Sequence, residues 1–168
     1  MEIIMKVDII IVGTGVAGLF CALHLPKDKQ ILMLTKKSVE ESDSFLAQGG
    51  ICMLKNEEDY DSYFEDTMRA GHYENNKDSV DIMIRSSQTI IDELIQYGVE
   101  FERENGKLLF TREGAHSTPR ILFHEDITGK EITSKLLDRV KELSNVTILE
   151  QTTMLDLLCE NNCCYGIV

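Results

Sequence analysis

Three glycines carry the clearest chemical meaning in this sequence. Gly13, Gly15 and Gly18 stand in the order Gly13-Thr-Gly-Val-Ala-Gly18. An apolar, β-branched run, Ile9-Ile-Ile-Val12, comes directly before them, and Leu19-Phe-Cys-Ala-Leu-His-Leu25, an apolar helix start, directly after. Strand, glycine turn and helix in this order form the phosphate-binding corner of a dinucleotide-binding βαβ unit. Gly13 lets the chain turn tightly off the strand, Gly15 lets backbone approach a pyrophosphate, and Gly18 lets the helix pack close to the strand. The helix mouth then offers unpaired N–H groups and a positive dipole end to an anion. The strand itself reads as buried on both faces.

Two further stretches could do chemistry. In Ser42-Asp-Ser-Phe-Leu-Ala-Gln-Gly-Gly-Ile51, two adjacent glycines follow a polar, loop-like segment. They permit close approach of backbone to a flat ligand, and they serve a plain surface turn equally well. Thr111-Arg-Glu-Gly-Ala-His-Ser-Thr-Pro-Arg120 has neither helical nor strand period, but it is dense in groups that bind anions or move protons. Loops of this kind carry function more often than cores do, although a solvated polar loop has the same composition.

The elements that must position these groups follow from periodicity. Gln30-Ile-Leu-Met-Leu-Thr35 is a second strand. A dinucleotide unit usually ends this strand, about 20 residues past the glycines, with an acid for a ribose hydroxyl. Here Thr35-Lys36 occupies the position, and Glu40 and Glu41 lie too far beyond it. That weakens an NAD-dependent dehydrogenase and leaves a hydroxyl and an ammonium to hold the ribose and a phosphate of a larger dinucleotide. Residues 57–70 predict a helix with Tyr60, Tyr63, Phe64 and Met68 on its core face and Gly71 just past its end. Residues 78–97 predict a longer helix burying Ile84, Ile91, Leu94 and Ile95, with Asp78 as N-cap and Gly98 as stop. Val99-Glu-Phe101 and Leu108-Leu-Phe110 flank Glu104-Asn-Gly106 as a hairpin. A third helix is expected over 132–143, with Ile132, Leu136, Leu137, Val140 and Leu143 inward, then a strand over 146–150. Met154 to Cys159 and Cys163 to Val168 read as two strands joined by Glu160-Asn-Asn162. The β-α-β…α-β alternation argues for an α/β fold with a mostly parallel sheet.

Composition excludes some partners. The 168 residues suffice for one domain with a real core; they are 43% hydrophobic and carry a net charge of −12 without a basic cluster. Nucleic acid is therefore not an expected partner. No apolar run approaches the roughly 20 residues of a membrane span, and Asp8 interrupts the N-terminal apolar stretch, so neither a membrane anchor nor a signal peptide is expected. Cys21, Cys52, Cys159, Cys163 and Cys164 form no CxxC pair or His/Cys ligand spacing, which fits reduced thiols in a cytoplasm and no metal. The apolar end Gly166-Ile-Val168 reads as a cut inside a fold.

Four segments, in order, resemble the N-terminal portion of the L-aspartate oxidase family, within the succinate dehydrogenase/fumarate reductase flavoprotein superfamily. They are Ile11-Val-Gly-Thr-Gly-Val-Ala-Gly-Leu19, Ser44-Phe-Leu-Ala-Gln-Gly-Gly-Ile51, Thr111-Arg-Glu-Gly-Ala-His-Ser117 and Arg120-Ile-Leu-Phe-His-Glu-Asp-Ile-Thr-Gly-Lys130. The first is generic to flavoproteins, the second marks the superfamily, and the third points to aspartate oxidases.

The resemblance implies a truncated, Rossmann-like FAD-binding fold with a helical insertion and a β-hairpin. Its parts would be a dinucleotide unit and flavin loop over 1–52, an insertion and polar loop over 53–127, and a returning helix and strands over 128–168. It implies non-covalent FAD: the turn Gly13, Thr14, Gly15, Val16, Ala17 and Gly18 would hold the pyrophosphate, and Lys36 would stand by the adenosine ribose. Asp43, Ser44, Phe45, Leu46, Ala47, Gln48, Gly49 and Gly50 would pass along the ribityl chain and isoalloxazine, and backbone at Met154 and Leu155 would meet the adenine. The implied reaction is oxidation of L-aspartate to iminoaspartate, hydride passing from Cα to flavin N5, with oxygen or fumarate as acceptor. It would be a first step towards quinolinate and NAD, coupled to quinolinate synthase.

Aspartate differs from succinate by one ammonium, and Glu113 matches the family glutamate that orients substrate through it. The family's clamping His and Arg residues belong to regions beyond Val168, so this stretch alone should not turn over. Succinate dehydrogenase and fumarate reductase flavoprotein subunits with covalent flavin carry a histidine where Asp43 stands. A soluble fumarate reductase and a non-catalytic nucleotide-binding module are the remaining alternatives.

Overall fold

The computed structural model describes residues 4–168. In chain order the elements are β1 (Ile9–Val12), α1 (Val16–His24), β2 (Ile31–Leu34), α2 (Asp43–Leu46), β3 (Ile51–Cys52), a 3₁₀ turn (Glu57–Asp59), α3 (Tyr60–Ala70) and α4 (Lys77–Gln96). They continue with β4 (Arg103–Glu104), β5 (Lys107–Leu108), β6 (Ile121–Leu122), α5 (Thr128–Lys141), β7 (Val146–Leu149), β8 (Leu157–Glu160) and β9 (Cys163–Ile167). The chain divides into two compact units: residues up to Leu46 with Ile132–Val168, and Ala47–Glu131.

The first unit contains the parallel sheet β1-β2-β7, in register Ile9↔Ile31↔Val146 through Val12↔Leu34↔Leu149. β2 lies between two strands, and all four of its residues are buried. β1 was expected to be buried on both faces and is not. It forms the sheet edge among the described residues, and Val12 is 53% exposed. Leu19 and Ala22 of α1 and Leu136, Leu137 and Val140 of α5 add fully or nearly buried apolar groups, each worth about 1–3 kcal/mol. α5 begins a turn earlier than its apolar stripe suggested, at Thr128, whose Oγ1 accepts from the His124 amide at 3.0 Å. β8 and β9 form an antiparallel hairpin through Asn161 and Asn162, both at positive φ (51° and 61°), the conformation a two-residue turn of this type demands. β8 starts at Leu157, three residues later than expected.

The second unit packs α3 against α4 around Leu54, Tyr63, Met68, Val80 and Ile84, with Tyr60 and Phe64 against this cluster. The aromatic stripe of α3 is therefore core. The helix itself is preceded by the 3₁₀ turn, so 57–70 is not one continuous α-helix. The N-cap of α4 is Asn76, not Asp78: Asn76 Oδ1 accepts from the Ser79 amide at 2.9 Å, and Asp78 sits in the first turn, where it suits the dipole. Ile95 is half-buried rather than core. Gly98, at φ +98°, ends the helix. The hairpin forms around Asn105-Gly106, but its strands are β4 and β5; Val99 and Phe101 are buried outside it. β6, not expected from the sequence, pairs antiparallel with β3.

Candidate functional site

The glycine turn is built by the chain that flanks it. Gly13 continues the ladder by donating to Leu34 O at 2.7 Å, then turns at φ +107°, a value that favours glycine. A Cβ at Gly18 would collide with the carbonyl oxygen of Gly13, so helix and strand approach as closely as glycine allows. Gly15 is the N-cap of α1, has no side-chain cap bond of its own, and no acid stands in the first turn. Leu19 N–H is the first to find an intrahelical acceptor, Gly15 O at 3.1 Å. The N–H groups of Gly15, Val16, Ala17 and Gly18 thus have no partner within the helix. Ser44 Oγ accepts from Val16 at 3.1 Å, and a Cβ at Gly15 would lie 3.0 Å from the same oxygen. Backbone donors at a helix mouth with no acid in its first turn suit a dinucleotide diphosphate. Thr14 is 2% exposed, and its Oγ1 donates to Val39 O at 3.5 Å.

Other expected contacts distribute unevenly. Lys36 is exposed just past β2. The 43–50 stretch is not all loop: Asp43–Leu46 forms the single turn α2, where Ser42 Oγ accepts from the Phe45 amide at 3.2 Å. Leu155 is 78% exposed, and its amide already donates to Val168 O at 2.6 Å.

In the second unit the paired glycines differ in purpose. A Cβ at Gly50 would overlap the Leu122 carbonyl oxygen, so this glycine is required by the β3–β6 pairing. A Cβ at Gly49 would meet Glu113 Oε2 at 3.8 Å, an ordinary contact, so Gly49 lies beside that carboxylate, which would not exclude a side chain there. Gln48, Thr111, Glu113, Phe123, Glu125 and Asp126 line a hollow of about 360 Å³.

Behind Glu113 lies a buried charge cluster. Arg120 is wholly buried; Nε and NH2 donate to the two Asp59 oxygens at 3.2 and 2.9 Å, and NH1 donates to Asp66 Oδ2 at 2.6 Å. Asp66 Oδ2 also accepts from the Ser117 amide and hydroxyl at 2.6 and 2.7 Å, while Ser62 and Thr118 hydroxyls donate to Asp59 at 2.9 and 3.0 Å. Burial opposes ionisation of both carboxyls, but these donors outweigh it and hold both below the usual range, Asp66 furthest. His116 is shifted down, by burial first and then by the Arg120 cation. Burial likewise pushes the Cys52 thiol and the Tyr63 phenol up. Arg120, His116 and Ser117 lie in the polar loop expected from the sequence, whereas Asp59, Ser62 and Asp66 were not expected at a site. No local signal marks them: Asp59 lies in the 3₁₀ turn and Ser62 and Asp66 on α3, where spacing alone does not separate a buried polar residue from a solvated one.

Fold and turn together define a dinucleotide-binding α/β protein. A family model described as FAD binding domain matches residues 8–168, and the chain belongs to that family. Its dinucleotide is FAD. The chain is 46% identical to an L-aspartate oxidase of Clostridium perfringens over 159 residues, covering 95% of this chain and 36% of the relative. To that of Clostridium acetobutylicum it is 44% identical, covering 96% and 37%. The chain thus spans about a third of the length of these relatives. Among solved structures, an Escherichia coli quinol fumarate reductase mutant superposes with a TM-score of 0.91 at 24% identity, over 97% of this chain and 29% of that one. A Rhodococcus jostii 3-ketosteroid dehydrogenase superposes at 0.75 and 15% identity, over 99% and 42%. These two likenesses concern the fold alone. Among the described residues no helix is long and apolar enough to cross a membrane.

Proposed function

We propose that this chain forms the FAD-binding part of an L-aspartate oxidase, which converts L-aspartate to iminoaspartate on the way to quinolinate. The observation that carries the reading is Glu113: its carboxylate lies beside Gly49 and lines a polar hollow with Gln48 and Thr111, in a chain 46% identical to a relative named L-aspartate oxidase. FAD, when bound, would supply the two-electron redox chemistry, with oxygen or fumarate as the final acceptor. The residues of this chain hold and orient. Backbone N–H groups of residues 14–17 would hold the diphosphate, Lys36 would stand by the ribose, and Met154-Leu155 backbone would border the adenine. Asp43 cannot form a histidyl link, so the flavin is bound non-covalently. Glu113 accepts a charge-assisted hydrogen bond from the substrate ammonium, and succinate, with no ammonium, would bring only carboxylates towards it. The five free cysteines agree with a reducing cytoplasm.

Anaerobic L-aspartate should bleach the flavin of the intact protein, and succinate should not; bleaching by succinate alone would mark a succinate dehydrogenase-type enzyme instead. Glu113→Gln should lower kcat/KM for aspartate roughly tenfold to a hundredfold, the range of a lost charged hydrogen bond, and spare fumarate reduction. Equal loss of both would remove Glu113 from the role of reading the ammonium.

A further inference from the structure

The donor count of one buried side chain fixes the protonation of another. Every N–H of Arg120 has an acceptor: Nε reaches Asp59 Oδ2, NH1 reaches Asp66 Oδ2 and His116 Nδ1 (3.1 Å), and NH2 reaches Asp59 Oδ1 and Ser62 Oγ (2.7 Å). A guanidinium donates only, so Nδ1 of His116 must accept and cannot carry a proton. The ring proton then stands on Nε2, which lies 3.2 Å from Cys52 Sγ and donates to it. A second proton on Nδ1 would set N–H against N–H beside a cation.

The same ring sits in the turn that carries Glu113. The His116 amide donates to Glu113 O at 3.3 Å across Gly114, which is at φ +52°. Arg69 NH2 donates to Ala115 O at 3.2 Å, and Ser117 is bound twice to Asp66. Residues 113–117 are thus pinned to α3 through polar contacts on either side of the imidazole, whose ring also meets Tyr63 edge-on at 6.0 Å.

We propose that His116 is a positioning residue, a neutral imidazole locked in the Nε2–H tautomer between Arg120 and Cys52, that fixes the turn presenting Glu113 and exchanges no proton with substrate. The proposal rests on the role given to Glu113 above, but the tautomer does not. The charged and titratable groups that face the ring are Arg120, Asp59, Asp66, Glu113, Cys52 and Tyr63.

Ring-nitrogen NMR of the intact, FAD-loaded protein at about pH 5.5, roughly one unit below an ordinary imidazole, tests the state directly. One bare and one protonated nitrogen, the bare one Nδ1, is the expected result; an imidazolium or an Nδ1–H tautomer would overturn the proposal. Kinetics test the role. A glutamine amide can accept from Arg120 and donate to Cys52, so His116→Gln should keep aspartate kcat/KM and its pH profile close to wild type. His116→Ala should raise the KM for aspartate about tenfold and leave fumarate reduction unchanged, the pattern expected of Glu113→Gln. Should the alanine variant not fold, the glutamine variant decides: loss of kcat together with a limb of the pH profile would make His116 a proton-transfer group and refute the proposal. If Glu113→Gln fails to separate the two activities while the NMR result holds, the ammonium-reading role of Glu113 falls and the tautomer assignment stands.

Discussion

The turn at residues 13–18 and the loop at 111–120 both manage charge, by opposite means. The turn has no charged side chain; its donors are backbone N–H groups at the mouth of α1, exposed by glycines and kept clear of acids. The loop buries a guanidinium and two carboxylates, and each is satisfied by an explicit donor or acceptor. A backbone site tolerates changes of side chain provided no Cβ intrudes. A buried ion cluster tolerates none, because removing one member strands the others in a medium that cannot solvate them.

The largest effect should come from breaking the second region. Arg120→Met leaves Asp59 and Asp66 buried without their cation, and should lower stability by about 3–5 kcal/mol in urea unfolding. Adding Asp59→Asn and Asp66→Asn should recover most of the loss. If the single variant is as stable as wild type, the cluster is not buried in solution. The first region should respond differently. Gly18→Ala drives a methyl into the Gly13 carbonyl and should cost about 1–3 kcal/mol and weaken FAD retention. Unchanged stability and flavin content would mean that helix and strand are not in close contact.

The smallest effect is a pH dependence confined to the loop. Asp59 and Asp66 titrate lower folded than unfolded, so their contribution is present above about pH 4 and is lost as pH falls through their folded values. His116 is also lowered, so the unfolded state takes its proton first, and stability declines as pH drops below about 6.5 towards its folded value. The signs agree. Urea midpoints should fall in two stages on acidification, and His116→Gln should remove the upper one; an unchanged upper stage would place its origin elsewhere.

The same contrast explains what could be read from the sequence. The glycine turn, β1 with β2, the parallel arrangement and the Asn-Gly hairpin depend on local chemistry, whose spacing is visible in the residues themselves. The edge position of β1 was not visible, because burial on both faces depends on a strand that must arrive from elsewhere. The ion cluster joins Asp59 and Asp66 to Arg120 across more than fifty residues of chain. Nothing in the spacing of α3 distinguishes a buried aspartate from a solvated one until the loop folds over it. Gly50 shows the same limit: its role lies in the β3–β6 pairing, and β6 was not expected.

Backbone N–H groups at the mouth of α1 are proposed to grip the diphosphate of FAD. A crystal structure of the intact, FAD-loaded protein tests it most directly. The account predicts phosphate oxygens within hydrogen-bond distance of the amides in the 14–18 turn, with Ser44 beside them. A diphosphate bound elsewhere, with this turn closed over its own donors, would contradict it.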